Sequence, residues 1–497
     1  MAAIAKLFGA SQRTSPPPIE TDDVYPVHML DDSKSLRDIV VAWTLRFDDV
    51  LDSEKLHSSL LRLLEIGDWR KLGGRLRLKE NGELEIYVPQ HFSTERPAVS
   101  YSHQAFPMDI EDHPLAKTLP KATDAPSIQP GSQEFMPFAA KENAPTTLED
   151  FIYQDVPQLS LHITSFNDAT LVALSWPHTL MDVMGQQALL RGWTLVLAGQ
   201  EHEFPPMLGA RDDAICAAVD ASDAKEEEFK MNQKRLKGLG MLKFGLNFAW
   251  DMVWNRVVET RTIFLPRRAM AELRRQAMDD LAAQKDGEEE PFISEGDVLT
   301  AWAIRAVALS LPNPRPVTAL HALNARFRLP SLIQAAGVYV QNMAVAGFAF
   351  ISPEVARGPL GPIALENRRH LMEQATQGQV LAAVRELRQQ RKDGNEQPVL
   401  CGDSGALLMP FTNWTRAAVW EAADFGPAVL RTGRTREGRS NKPGSLVYHH
   451  ASSMKVNPGM RNVFVVLGKD CEKNYWISAS LLPQAWVRVE DELRKLS

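Results

Sequence analysis

Apolar positions fall into two periods along this chain, and the switches between them mark its elements. Residues 39–47 alternate and predict a strand. Leu56, Leu60, Leu63 and Leu64 share one face of a helix over 54–64, with Ser53 as its expected N-cap. Residues 69–78 and 84–88 predict two strands joined at Asn81-Gly82, a dipeptide that tolerates the positive φ of a tight hairpin. A second strand pair, 159–166 and 170–176, turns at Asn167-Asp168. Its buried run, 171–174, stops at Pro177, and a helical period follows from Asp182 to Leu197, ending near Gly199. Residues 101–148 are rich in Pro, Asp, Glu and Lys and are expected to form long surface loops.

Pro205, Pro206 and Gly209 then break the pattern. Residues 1–205 are taken as a first domain, 206–260 as a crossover and 261–497 as a second domain. Within the crossover, 226–235 is highly charged. Residues 238–253 are apolar and aromatic, with Phe244, Phe248 and Trp250, and Trp254 follows. A helix packed between the domains is the favoured expectation for this stretch. The sharper alternative is an interfacial helix that rests on a membrane or lines an apolar substrate mouth. In the second half, strands are expected at 261–265, 316–325, 343–351, 446–449, 462–467 and 475–479. Helices are expected at 267–283, 296–310 (capped by Ser294), 362–391 and 483–496. Strands interspersed with helices in both halves define an α/β class.

At 497 residues the chain exceeds one simple core, which supports two domains. A net charge of −7 disfavours a nucleic-acid partner. The cysteines, Cys216, Cys401 and Cys471, are odd in number and far apart. That argues against a disulfide framework or a zinc site and fits a reducing, cytoplasmic setting. Residues 1–20 read as a disordered lead-in rather than a signal peptide. No transmembrane segment is expected, because the nearest stretch, 239–258, contains Lys243, Asp251 and Arg256.

The stretch His178-Thr-Leu-Met-Asp182 stands at the expected strand-to-helix turn, where loops carry chemistry. A near-neutral imidazole suits proton abstraction from an alcohol or amine. The pattern is short, and with 12 histidines about one chance match is expected. A second match, His28 to Asp32, is taken as that accident. Asp182 by itself fits a helix N-cap.

More distant residues change the weight of this motif. Thr412-Asn-Trp414 is followed by Asp424-Phe-Gly426, and Asn324-Ala-Arg326-Phe-Arg328 by Tyr339-Val-Gln-Asn342. Ser294-Glu-Gly-Asp297, Pro26-Val-His-Met-Leu-Asp31 and Gly73-Gly-Arg75-Leu-Arg77 complete the set. Taken in chain order, these stretches resemble the PLSxLD, LAGRLR, HxxxD, SxxDxLxA, NxRxR or DxRxR, YFGN and TSW…DFGWG elements of the BAHD acyltransferases, in particular of their fungal secondary-metabolism branch of trichothecene O-acetyltransferase-like enzymes. Two departures stand out: Val183 replaces the glycine after the motif aspartate, and Pro427, which has no N–H to donate, replaces the tryptophan of DFGWG.

The resemblance implies two similar chloramphenicol-acetyltransferase-like domains with mixed sheets and a channel between them. Part of the second half would pair with the first sheet. It implies acyl-CoA, most simply acetyl-CoA, as co-substrate. It implies a hydroxyl on a hydrophobic terpenoid or polyketide as acceptor, with no permanent cofactor, no metal and a monomeric enzyme. His178 would be the general base and Asp182 its orienting partner, paired with Arg326 or alternatively Arg328. Thr412 and Trp414 would line the reaction centre, while Asn342, Asp424 and Gly426 would be structural. The basic loop that carries Arg434, Arg436, Arg439 and Lys442 would meet the CoA phosphates. N-acyl or condensation-type chemistry, and a non-catalytic small-molecule-binding relative, are the alternatives.

Overall fold

The computed structural model describes residues 13–222, 227–283, 291–394, 399–433, 441–457 and 459–496. The first sheet is built from Val40–Phe47 (β1), Ser100–Ala105 (β2), Ser160–Ser165 (β4), Thr170–Pro177 (β5) and Tyr448–Ser453 (β10), in the order β10-β1-β5-β4-β2. The second sheet holds Ser127–Pro130 (β3), Glu259–Leu265 (β6), Val317–Asn324 (β7), Ala344–Ile351 (β8), Leu407–Asn413 (β9), Val463–Lys469 (β11) and Tyr475–Leu481 (β12). Their order is β8-β7-β9-β11-β12-β6-β3. Both sheets mix parallel and antiparallel pairs: β2 runs parallel to β4, and β9 parallel to both β7 and β11.

Every residue of β1 and β5 is buried. Central strands covered on both faces carry near-continuous apolar runs, which is why 171–174 lacks polar interruptions. The polar members of β1 are buried too; Arg46 meets the Asp48 carboxylate at 2.8 Å. Helix Ser53–Leu63 (α1) begins one residue earlier than expected, because Asp52 and not Ser53 is the cap, accepting from Lys55 N at 3.0 Å. The hairpin of Arg75–Leu78 and Leu84–Val88 forms as expected, but Gly67–Gly73 is a 3₁₀ helix rather than strand. Gly67 enters it at φ +49°, and Trp69 is folded beneath it.

The expectation of surface loops across 101–148 is corrected. This region supplies β2 and β3, both edge strands, whose residues are partly or largely exposed. Edge strands need no buried apolar alternation, so their sequence looks like loop. In the same region Ile110, Leu119, Phe135 and Phe138 close a small core with Phe166 and Leu171.

The two halves exchange strands. β10, from the second half, pairs with β1, and β3, from the first half, pairs with β6. Helices Arg267–Ala282 (α4), Glu295–Ser310 (α5), Leu360–Gln374 (α6) and Pro483–Arg494 (α8) pack one core with the second sheet. The expected single helix over 362–391 is two, α6 and Gln377–Lys392 (α7), because Thr376 caps a new start through Gln379 N. The crossover contains helix Gly238–Trp254 (α3), and none of its residues is buried. The expectation that it packs between domains is therefore wrong.

Candidate active site

β5 ends at Pro177, and helix Val183–Leu197 (α2) starts after Asp182, so His178 lies in the loop between them. Its backbone is held from both halves of the chain. His178 N donates to Ile39 O at 2.9 Å, and Asn342 Nδ2 donates to His178 O at 2.9 Å. The ring lines a cavity of about 760 Å³. The ring's Nδ1 is buried, beside the residue's own carbonyl. Burial lowers its pKa below the usual 6.5. Its own carbonyl, the Asp182 charge and Asn342 oppose that shift.

Asp182 does not face the reacting space alone; its carboxylate is saturated. Oδ1 accepts from Met184 N at 3.0 Å and Gly185 N at 3.2 Å, which caps α2. Arg326 grips both oxygens, at 2.8 and 3.0 Å, and Met343 N adds a bond of 3.1 Å. Arg326 is itself nearly buried and also donates to Tyr339 O. This bidentate pair ties the first half to the second beside the histidine. Arg328 makes no contact with Asp182 and instead lines the cavity. The glycine missing after Asp182 has moved two residues on. A Cβ at Gly185 would lie 2.3 Å from Val340 O, so close backbone approach is met there instead.

Sequence reasoning assigned no role to Asp31, although it quoted the stretch that holds it. Asp31 Oδ1 accepts from Asn342 N at 2.7 Å and Asn342 Nδ2 at 2.8 Å, and so fixes the amide that holds His178. It is buried, with Lys71 as nearby countercharge; burial pushes the acid up and the amine down. The hint in sequence was its place at the end of the stretch Pro26–Asp31. His28, the other motif match, is buried on Gly209 O, and Asp32 pairs with Arg37 and Arg391.

Thr412, next to last in β9, lines the same cavity as His178. Trp414 Nε1 donates to Thr412 Oγ1 at 3.1 Å, which leaves the threonine proton free to donate elsewhere. Trp414 also lines the cavity and stacks on His449, with centroids 6.4 Å apart. A second cavity, of about 250 Å³, adjoins the first and shares Ala322, Leu323, Arg328, Thr412 and Asn413 with it.

Asp424 and Gly426 lie in the wall of the first core. Phe425 stacks on Phe47 at 5.0 Å, and Asp424 Oδ1 accepts from Gly426 N. Pro427 offers its carbonyl to Lys55 Nζ at 2.6 Å. Arg434, Arg436 and Arg439 lie outside the described residues. Lys442 is exposed, 3.8 Å from Asp424, and lines neither cavity.

Other cations do reach the cavities. Arg328 and Arg416 line the larger one, and Arg328 with Arg368 the smaller. Arg328 Nε is buried without a partner. Burial, then Arg416 and Arg368, lower its pKa.

Two mixed α/β halves trade strands, and His178 lines a cavity walled by residues of both. The fold matches the structure of F. sporotrichioides TRI101 complexed with Coenzyme A and T-2, at a TM-score of 0.66 and 15% identity, over 95% of this chain and 98% of that one. Vinorine synthase matches at a TM-score of 0.53 and 15% identity, over 97% and 95%. No family model matches the sequence. Among curated proteins, O-acetyltransferase PaAT-2 of Phomopsis amygdali is 39% identical over 98% of this chain and all of that protein. Acetyltransferase pyiB of Pyricularia grisea is 38% identical over 99% and 97%. A Penicillium decumbens relative named transcriptional regulator calD is 35% identical over 98% and 99%. The chain belongs to the family of these fungal acetyltransferases.

Proposed function

We propose that the protein transfers an acetyl group from acetyl-CoA to a hydroxyl of an apolar secondary metabolite, of terpenoid or polyketide type. One observation carries this reading: His178 and Thr412 line one large cavity, walled largely by apolar side chains such as Leu320, Phe327, Phe348 and Val399. Nε2 of neutral His178 takes the acceptor proton as its oxygen attacks the thioester carbonyl. The Thr412 proton, free because Trp414 supplies the donor to its oxygen, stabilises the oxyanion. Collapse breaks the C–S bond, and the imidazolium returns the proton to the leaving thiolate. The products are the acetate ester and free CoA. Titration of released thiol, with mass spectrometry of the product, tests this on a panel of fungal alcohols. CoA release that does not depend on any acceptor, or a product without a new acetyl ester, refutes it.

Thr412→Val is expected to lower kcat by about 10²-fold with little change in either KM, as for loss of one oxyanion donor. Thr412→Ser should restore most of the rate. Unchanged kcat in Thr412→Val would remove the hydroxyl from the mechanism.

For the phosphates of the co-substrate, the arginines at the cavities are favoured over the 434–442 loop. Arg328 with its unpaired Nε, crowded by Arg416 and Arg368, is a cluster that a bound anion relieves. Arg328→Gln or Arg416→Gln should raise KM for acetyl-CoA by about 10-fold or more, since a charged hydrogen bond is worth about 1.5–3 kcal/mol. Acceptor KM should stay put. A rise seen instead on neutralising Arg434, Arg436 and Arg439 returns the role to the loop. The regulatory name of the P. decumbens relative prompts a nucleic-acid reading, which a net charge of −7 disfavours.

A further inference from the structure

Helix α3 is amphipathic in the reverse sense. Two of its polar side chains turn toward the protein: Asn247 Nδ2 donates to Ser404 O at 3.1 Å, and Asp251 pairs with Arg315 at 2.8 Å. Arg461 donates to the Asp251 carbonyl and lies over the Phe248 ring. A row of its apolar side chains points to solvent, while Met241, Phe244, Phe248 and Met252 are half-buried. Leu239, Leu242, Leu246, Trp250, Val253 and Trp254 recur at helical spacing, and Val257 continues the row. Leu239 is 84% exposed, Trp250 64% and Trp254 67%. A soluble surface helix does the opposite, and contiguous exposed apolar rows mark contact surfaces.

Charge selects the occupant. Across 237–257 the basic residues Lys237, Lys243 and Arg256 are all exposed, while Asp251, the sole acidic residue there, is turned inward. The outer face is thus apolar, cationic and tipped by two tryptophans in mutual ring contact at 5.4 Å. A second copy of the chain fits poorly. One helix face about 25 Å long and about 10 Å wide covers about 250 Å², well short of the roughly 800 Å² per partner of a stable interface. We propose that α3 seats the protein on an anionic phospholipid surface, lying in the headgroup layer. It rests there rather than spans, since no helix among the described residues is long and apolar enough to cross a membrane.

The position of the helix connects this surface to the cavity. Leu236, just before α3, donates its N–H to Leu400 O at 2.8 Å, and Arg235 bridges to Cys401. Leu400, Val399 and Phe229 line the large cavity. An apolar ligand dissolved in the bilayer therefore meets the cavity rim beside the point of attachment.

The test is co-sedimentation of the full chain with vesicles of phosphatidylcholine, alone or mixed with phosphatidylserine. The wild type should pellet with the mixed vesicles, with a blue shift of tryptophan emission, and far less with phosphatidylcholine alone. Trp250→Ser combined with Trp254→Ser, and separately Lys243→Glu combined with Arg256→Glu, should each weaken pelleting about tenfold or more. These side chains are exposed and line neither cavity, so both variants should fold and keep wild-type thiol release with a dissolved acceptor. Equal pelleting of wild type and variants overturns the proposal, as does no pelleting at all. So does a solution dimer that the tryptophan variant abolishes. Loss of acetyl transfer with intact pelleting counts against the active-site reading alone.

Discussion

His178→Ala should leave a folded, soluble protein whose kcat for acyl transfer falls by about 10²–10⁴-fold, the usual contribution of a positioned general base. Two observations make this a catalytic and not a folding effect. The ring projects into a cavity, so its removal leaves no packing void in the core. The bonds that fix this loop, from His178 N to Ile39 and from Asn342 to His178 O, use backbone atoms that alanine retains. KM for acetyl-CoA should change little, because the base acts on the acceptor. The pH profile supplies a second readout. Burial lowers the His178 pKa, so the base is neutral at pH 7, and the acid limb of kcat/KM should fall below the usual 6.5. Full activity in a well-folded His178→Ala protein would falsify the base assignment.

Asp182→Ala should act differently, destabilising the protein by about 3–5 kcal/mol, because it strands a nearly buried guanidinium. Arg326 would lose both carboxylate bonds, Met343 N its acceptor, and α2 its cap. A lower midpoint in chemical denaturation with an unchanged slope is the expected result. Arg326→Ala should cost a similar amount, and the double variant less than the sum, since the two residues form one unit. Residual kcat in the folded fraction should exceed that of His178→Ala. If Asp182→Ala keeps full stability and loses turnover completely, the carboxylate has a chemical role that the geometry does not suggest.

Much of the arrangement was legible in the order of local motifs. The strand run to Pro177, the histidine after it and the cap at Asp182 are set by near neighbours: an apolar run, a residue that ends a ladder and a carboxylate that accepts from its own helix. The larger misses share a cause, contact between distant segments; the caps at Asp52 and Thr376 were local signals. β2 and β3 read as loop because an edge strand needs little apolar patterning, and α3 read as an interdomain helix because apolar content does not say which way a face points. Asp31 was passed over since its task, holding the Asn342 amide, exists only once residues 311 positions apart meet.

Family and α/β class were therefore determined by the sequence itself, as was the proposal of His178 as base, because each depends on residue type at short spacing. The tertiary structure decided which arginine grips Asp182, which cations border the cavity, which strands trade places between halves and that α3 turns its tryptophans outward. Those outcomes depend on the relative placement of segments that packing and burial bring together, and no local pattern encodes that placement.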